Sequence, residues 1–433
     1  MKVHVATYGC SANQASSETM MGTIGKMGHE LVDRQHAEVV VLNTCTVKAA
    51  TEQKILHEIH RLGKEGIKVV VAGCMPQVQL GDILQSNPDA HILGVNSISI
   101  IGEILDSIEN YSSDEIPDTK KRFESITSKP SGFLNTTRIR FNPNIHICQI
   151  SQGCNYGCTY CIVRAARGQL ISFDPDLIVE DIQTAVSEGC GEIWLTSQDN
   201  GQYGMDIGFR LPELLEMVTS IPGNFIVRVG MINPFSMLPI LDDLIKAFEN
   251  DKIYKLLHLP IQSASEDVLK RMNRFYSMSD VDDITFRLRT AFPDLTLFTD
   301  VIVGFPGEKE SDFNKSVEWV KKYKPDKVNI SRYTPRPHTK ALEYRNIDSR
   351  IIVKRSNELH RVCETVKLES KKQTVGWQGK VFVSKKAKVN GVMARTASYK
   401  PVVIPECKLS LGQWYRVEIT DTTPGYFLGR IVE

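Results

Sequence analysis

The sequence predicts an α/β protein in three parts: an open parallel sheet, a central parallel barrel or partial barrel, and a small closed all-β barrel at its C-terminal end. Three observations predict it. Between Met1 and about Glu109, continuous apolar runs such as "VVVL" and "KVVVAG" alternate with segments of helical period, as in parallel strands covered on both faces. Between about Pro143 and Val366, strand and helix units repeat in the succession of a barrel. Beyond Ser370 the period changes to short strands separated by Gly, Asn and Pro turns.

The elements follow in order. In residues 1–109 the strands are "KVHVATYGC", "AEVVVLNTC" and "IKVVVAGC", each followed by a helical segment. Residues 110–142 are polar and punctuated by Ser, Asp, Pro and Gly, and read as a linker. Residues 143–369 carry "GEIWLTSQ", "NFIVRVG", "YKLLHLPIQ", "LTLFTDVIVGFPGE" and "KVNISRYTP". Residues 370–433 carry "GKVFVSKK", "VNGVMART", "KPVVIPE" and "WYRVEITDTTPGYFLGRIVE", without helix.

Composition narrows the function classes. The 433 residues, 42% hydrophobic and 24% charged, suit several ordinary cores. The opening "MKVHVATYGC" is too polar for a signal peptide, and no apolar run reaches the roughly 18 residues of a membrane span, so a cytoplasmic protein is expected. In that reducing compartment the ten cysteines serve ligation or burial rather than a disulfide framework. The overall charge of +1 hides local excesses. Residues 370–433 hold eleven Lys or Arg against four acids, and residues 120–142 hold Lys120, Lys121, Arg122, Lys129, Arg138 and Arg140 against Glu124 alone. Both stretches point to a polyanionic partner, against the plainer reading of solvated surface.

The cysteines carry the chemistry. Cys10, Cys45 and Cys74 each end a strand of the first zone, successive ones separated by about one strand–helix–strand crossover. The carboxyl ends of parallel strands share one edge, so three thiols would converge at a ligand crevice, with Gly9 and Gly73 allowing close backbone approach. The alternatives are three buried strand-end cysteines, or a zinc site for which His4 and His29 are the nearest, poor, fourth ligands. A second set, Cys154, Cys158 and Cys161, has the spacing C-x3-C-x2-C in "SQGCNYGCTYCIVRAARG". A zinc knuckle with Cys148 as fourth ligand is the structural alternative. An iron–sulfur cube held by three thiolates explains the missing ligand better, because it leaves one iron open to a small molecule.

With Tyr160 before its last cysteine, that spacing resembles the signature of radical S-adenosylmethionine (SAM) enzymes. Over essentially the whole chain the sequence resembles the methylthiotransferases, through "TYGCSANQASSE", "NTCTV", "AGCMPQ", "GCNYGCTYC", "ARG", "HLPIQSAS", "TDVIVGFPGE" and "RYTPRPHTKA". The stretch "EIWLTSQDNGQYGMDIG" looks most like the archaeal and eukaryotic branch acting on threonylcarbamoyladenosine in tRNA. Two departures stand out: Ser16-Ser17-Glu18 where the family has Asp-Ser-Glu, and Arg336-Pro337-His338-Thr339 where it has Arg-Pro-Gly-Thr.

The resemblance implies a flavodoxin-like first domain, a radical-SAM partial TIM barrel and a TRAM domain, an RNA-binding barrel. It implies two [4Fe-4S] clusters, one on Cys154, Cys158 and Cys161 that generates an adenosyl radical from SAM, and one on Cys10, Cys45 and Cys74 that holds the sulfur to be methylated. The product is the 2-methylthio derivative of threonylcarbamoyladenosine, made next to the anticodon. Cofactor-binding candidates at strand ends are Ser197, Gln198, Asp199, Arg228, Gln262, Ser263 and Gly304, with Tyr160. RNA-binding candidates are Arg332, Arg336, Lys385, Lys386 and Lys388. The implied partners are a tRNA anticodon stem-loop, an electron donor such as ferredoxin or flavodoxin, and a sulfur source. The rival readings are another tRNA adenosine, a ribosomal-protein aspartate, or an iron–sulfur carrier without catalysis. Cys148, Cys190, Cys363 and Cys407 are expected in cores.

Overall fold

Val39–Thr44 is buried along its whole length, as a strand covered by helices on both faces must be. In the computed structural model, which describes residues 1–47, 49–110, 122–388 and 390–432, it is the third strand of a six-stranded parallel sheet. The strands are β1 (Lys2–Thr7), β2 (Glu30–Leu31), β3 (Val39–Thr44), β4 (Lys68–Gly73), β5 (His91–Gly94) and β6 (Glu124–Ser125), in the order β2-β1-β3-β4-β5-β6. The winding reverses between β1 and β3, so their carboxyl ends flank the crevice where such sheets bind ligands. Helix α1 (Ser11–Lys26) covers one face with Met20 and Ile24, and α2 (Ala49–Lys64) covers the other with Ile55, Ile59 and Leu62.

The expected linker is fastened at several points. Its residues 124–125 form β6, beside which Phe123 N donates to His91 Nδ1 (3.1 Å) and the two rings stack. Arg138 is buried, donates to Ile147 O (2.8 Å) and pairs with Asp181 (3.2 Å), while His146 Nε2 lies 2.8 Å from the same carboxylate. Burial alone would raise the Asp181 carboxyl, but the His146 hydrogen bond and Arg138 outweigh it and hold it at about 2. Arg140 pairs with Glu188 (2.8 Å), and Arg122 with Glu124 (3.6 Å). These arginines are therefore occupied by protein carboxylates rather than free for a polyanion. Lys120, Lys121 and most of the segment's first half lie outside the described residues.

The central strands are β7 (Ile145–Gln149), β8 (Ser151–Gln152) and β9 (Ile171–Ser172), which form a small hairpin pair, then β10 (Glu192–Thr196), β11 (Ile226–Val229), β12 (Leu256–His258), β13 (Thr296–Val303) and β14 (Lys327–Arg332). Strands β7, β10 and β11 form one parallel sheet and β12, β13 and β14 another, joined by a single parallel bridge between Val227 and Ile253. The result is a six-stranded partial barrel, unpaired between β7 and β14. Ile193, Leu195, Val227, Val229, Leu257, Leu297 and Val301 pack outward with the helices in one core, which leaves the alternate residues for the lumen. The first domain spans the unpaired seam. Helix α1 meets β7 through Ala15, Ile145 and Ile147, and Arg336, beyond β14, is ion-paired with Glu52 of α2.

The last five strands, β15 (Gln378–Lys386), β16 (Gly391–Thr396), β17 (Pro401–Pro405), β18 (Trp414–Thr422) and β19 (Phe427–Ile431), close a barrel around Val381, Val383, Val402, Val417 and Ile419. This barrel docks on the amino ends of the central strands. Phe382 and Tyr399 bury against Ile226, Tyr254 and Leu256, Lys255 N donates to Ala397 O (2.9 Å), and Asn224 Nδ2 donates to Gly412 O (3.1 Å). Among the described residues, no helix is long and apolar enough to cross a membrane.

Candidate functional site

Cys10, Cys45 and Cys74 lie just beyond the carboxyl ends of β1, β3 and β4, as parallel winding dictates. Asn13, in the first turn of α1, brings two of the sulfurs together: its Oδ1 is 3.8 Å from Cys10 Sγ and 4.0 Å from Cys74 Sγ. Cys45 is reached from the other side. Gly9 has φ +114°, and a Cβ there would lie 2.8 Å from Cys45 Cβ and 3.2 Å from its Sγ, so only glycine admits this approach. Arg167, buried at the end of the helix Val163–Arg167, donates to Asn13 Oδ1 (2.6 Å) and to Gln152 Oε1 (3.1 Å).

The electrostatics follow from burial. It pushes the Cys45 thiol up to about 11, with Cys74 and Cys10 adding to the rise and Arg167 opposing it; Cys74 is raised for the same first reason. Thiols in such a place become thiolates when a bound cation supplies the missing charge. Two sulfurs at one amide, with Cys45 beside the same turn and a buried guanidinium close by, fit a cluster held by three thiolates. They do not fit the zinc alternative, since His29 lies against the Met1 amine (3.3 Å) at the amino end of β1, opposite the thiols, and His4 sits within β1 rather than at its carboxyl end.

Cys154, Cys158 and Cys161 occupy the loop between β8 and the helix Val163–Arg167. Gly153 has φ +79°, and a Cβ there would come within 1.9 Å of Gln169 O. Thr159 N and Oγ1 donate to Met272 O (3.0 Å) and Arg271 O (2.9 Å), and Asn273 Nδ2 donates to Gly157 O (2.9 Å), which anchors the loop. Gln202 Nε2 donates to Cys154 Sγ (3.1 Å) and Arg274 Nη1 to Cys158 Sγ (3.6 Å). Burial, aided by Cys158, pushes the Cys161 thiol up to about 12. A pocket lined by Tyr156, Cys158, Phe235, Arg274 and Phe275 opens beside the loop. Donors around half-buried sulfurs suit a second three-thiolate site. Cys148, the proposed fourth zinc ligand, is fully buried near Asp181.

The structure sorts the other candidates. Gln198 Oε1 accepts from Gly153 N (2.7 Å) and so stands at the cysteine loop, and the neighbouring Ser197 keeps a buried hydroxyl without a partner among the described residues. Tyr160 meets Phe305 edge-on (6.5 Å), its phenol pushed up by burial, with Cys158 and Cys161 close by. Gln262 takes φ +61° at a parallel bridge to Val301, a strained backbone of the kind that clusters at sites. Asp199 differs from expectation. It is buried and accepts from Gly201 N (3.1 Å), Gln202 Nε2 (2.9 Å), Asn233 N (3.0 Å) and Ser236 Oγ (3.0 Å), so it orients Gln202 instead of meeting a ligand. Ser263 is likewise buried, accepting from Ser265 N (3.2 Å). Gly304, at φ +79°, is a packing glycine: a Cβ there would lie 2.5 Å from Ile352 Cγ1. Arg228 is not at the strand end; its guanidinium lies in the lumen between the rings of Trp194 (4.9 Å) and Tyr399 (5.5 Å).

The RNA candidates divide. Arg332 is exposed, donating only to Asn357 Oδ1 (3.3 Å). Arg336 is buried, paired with Glu52 and donating to Thr46 O (2.6 Å), so it holds the first domain and does not face RNA. Lys385, Lys386 and Lys388 are exposed. They adjoin Ser384, whose carbonyl accepts from Asn142 and Asn144 (3.1 Å each) at the amino end of β7, whereas Arg332 closes β14 at its carboxyl end. Cys190 is buried as expected, while Cys363 and Cys407 are only half-buried. Sequence reasoning missed Asn13, Arg167, Gln202 and Arg274. The first three lie inside motifs already singled out; Arg274 is reached only through the fold.

Residues 2–94 match the family described as "Uncharacterized protein family UPF0004", and residues 148–320 match the "Radical SAM superfamily". The chain is 38% identical over 434 residues, all of both chains, to the "Probable threonylcarbamoyladenosine tRNA methylthiotransferase" of Pyrococcus horikoshii. It is 33% identical to the human "Threonylcarbamoyladenosine tRNA methylthiotransferase", covering all of this chain and 74% of that one. In fold it is similar to the radical S-adenosylmethionine methyltransferase TsrM from Kitasatospora setae, solved with cobalamin and a [4Fe-4S] cluster, with a TM-score of 0.55 at 12% identity over 78% of this chain and 76% of that one. Two cysteine sets, a parallel barrel, the radical SAM match and relatives in archaea and eukaryotes that cover the whole of this chain agree: the chain belongs to the threonylcarbamoyladenosine tRNA methylthiotransferases, enzymes of the radical SAM superfamily.

Proposed function

We propose that this chain methylthiolates C2 of N6-threonylcarbamoyladenosine next to the anticodon of tRNA. The observation that carries the reading is that Arg167, on the helix that follows one three-cysteine set, reaches into the other set, in a chain with a relative matched over its full length. Cys154, Cys158 and Cys161 hold one [4Fe-4S] cluster and Cys10, Cys45 and Cys74 a second. When bound, such a cluster with SAM supplies the one-electron chemistry that an inert C–H bond requires.

The protein's own residues do the rest. Gln202 and Arg274 place N–H donors on the sulfurs of Cys154 and Cys158, where negative charge gathers, and Asp199 fixes the Gln202 amide. Ser197, Gln198, Tyr160 and Gln262 surround the place for SAM. The first domain covers the seam and the last barrel docks on the amino ends of the strands, which narrows solvent access to the lumen. Arg332, Lys385, Lys386 and Lys388 contact phosphates, which position RNA without reading its bases. The functional units are residues 1–109, the connection 110–142, the barrel 143–369 and an RNA-binding TRAM barrel 370–433. A cytoplasmic ferredoxin or flavodoxin supplies electrons, and a separate sulfur source the transferred atom.

The test is turnover by anaerobically reconstituted protein of an anticodon stem-loop carrying threonylcarbamoyladenosine against one carrying adenosine, read by nucleoside mass spectrometry. The first should gain a methylthio group and the second should be poor. Equal turnover of the two, or modification of a ribosomal-protein aspartate instead, would overturn the reading.

A further inference from the structure

The lumen of the central barrel is incompletely packed and unevenly charged. Strand register puts Ile147, Trp194 and Arg228 in line on β7, β10 and β11, and His258, Phe298 and Lys327 in line on β12, β13 and β14. Parallel barrels fill their interiors in such layers. Here Trp194, Arg228, His258 and Phe298 are only half-buried and Lys327 is exposed, so the layer remains accessible to solvent instead of forming a packed core. Below it, Tyr399 of the last barrel forms a floor, 6.4 Å from Phe298 and under the Arg228 guanidinium.

The carboxylates of this region are already engaged. Glu192 is fully buried, accepts from Trp194 Nε1 (2.7 Å) and lies 3.7 Å from Arg395. Asp300, one layer up, has its two oxygens on His258 Nε2 (2.8 Å) and Asn329 Nδ2 (2.7 Å). Arg228 and Lys327 have no ion-pair partner among the described residues, and Arg228 Nε is buried without any hydrogen bond. Lys327 Nζ sits 5.4 Å from the Phe298 ring. Two cations without a carboxylate partner, beside three aromatic rings, call for an anion on a flat, partly apolar molecule.

We propose that Arg228 and Lys327 recognise the carboxylate of the threonyl group on the target nucleoside. This rests on the proposed function, and it deepens it by naming the groups that tell this nucleoside from adenosines with uncharged substituents. In threonylcarbamoyladenosine the threonine nitrogen is acylated and carries no charge, so the carboxylate stands alone as a net anion. Trp194, Phe298 and Tyr399 line the path that its apolar atoms follow. A site built to hold such a group binds the analogue lacking it more weakly, because the charge-assisted contacts to Arg228 and Lys327 are then lost.

The test compares two anticodon stem-loops with the reconstituted holoenzyme, one carrying threonylcarbamoyladenosine and one its neutral threoninamide analogue. The wild type should show a KM about tenfold or more higher for the amide. Arg228→Gln and Lys327→Met should each raise KM for the acid and shrink the acid-to-amide ratio, and Lys327→Arg should restore it; a merely structural defect would lower turnover of both substrates alike. SAM binding without RNA should be unchanged in Arg228→Gln. Equal KM for acid and amide in the wild type, with both methylthiolated, would overturn this inference and leave the proposed function standing. Lost SAM binding in Arg228→Gln would overturn it by returning that residue to the cofactor. Modification of neither stem-loop, with another adenosine modified instead, would remove the proposed function itself.

Discussion

Arg167 Nη2 donates to Asn13 Oδ1 across 2.6 Å, and this contact ties the helix that follows one cysteine set to the amide touching two sulfurs of the other. The guanidinium is the cation that opposes the burial-driven rise of both Cys45 and Cys74. The helix that follows the second set is therefore tied to the first set by this side chain.

Arg167→Leu should empty the first site selectively. In a Cys154/Cys158/Cys161→Ala background, iron retained by the chain should fall from about four atoms toward none, and Arg167→Lys should keep part of it. Iron per chain after anaerobic reconstitution measures this. Unchanged iron would mean that the cation is dispensable there.

Cys45→Ala should separate the two chemistries. Cleavage of SAM to methionine and deoxyadenosine should continue, methylthio product should vanish, and about four irons should be lost. A variant that stopped making deoxyadenosine with its other site still loaded would show that the sets do not divide the labour this way.

Arg336→Ala should act on stability, since the side chain is buried against Glu52. Removing one partner of a buried pair costs about 3–5 kcal/mol. Adding Glu52→Gln should recover much of that loss. Hydrogen exchange should rise at residues 46–52 in the single variant. Weaker tRNA binding at unchanged melting temperature would instead make Arg336 an RNA contact.

His91 gives a pH dependence. Burial lowers its pKa from 6.5 to about 4, with Lys68 adding to the effect, and its Nδ1 accepts from Phe123 N (3.1 Å) only when unprotonated. The folded pKa lies below the unfolded one, so the contribution is complete above about pH 6.5 and is lost as pH falls toward 4, where the unfolded chain binds the proton first. The range corresponds to about 3 kcal/mol. Urea unfolding of the wild type and His91→Leu across this range should show a shallower pH slope in the variant.

Much of this was legible in the sequence, for physical reasons. Buried parallel strands such as Val39–Thr44 are apolar throughout and announce themselves. Cysteines at strand ends converge because parallel winding leaves them no other arrangement. Side chains such as Arg336 and Asp199 were misread because a charged residue at a strand end looks the same in one dimension whether it faces a ligand or a neighbouring domain. Arg138 and Arg140 looked like part of an RNA-binding run because their carboxylates, Asp181 and Glu188, come from a helix far along the chain and its end. Arg274 reaches Cys158 across 116 positions, a relation no local spacing encodes.

The docking of Tyr399 beneath Arg228 and Trp194 also has a meaning in time. A ribosome makes the six central strands well before residue 399, so the nascent barrel stands bottomless, with Ile226, Tyr254 and Leu256 uncovered, until nearly the whole chain has emerged. The last segment made is thus also the floor whose arrival finishes the central barrel. Its synthesis marks the moment from which the protein can fold to its final form.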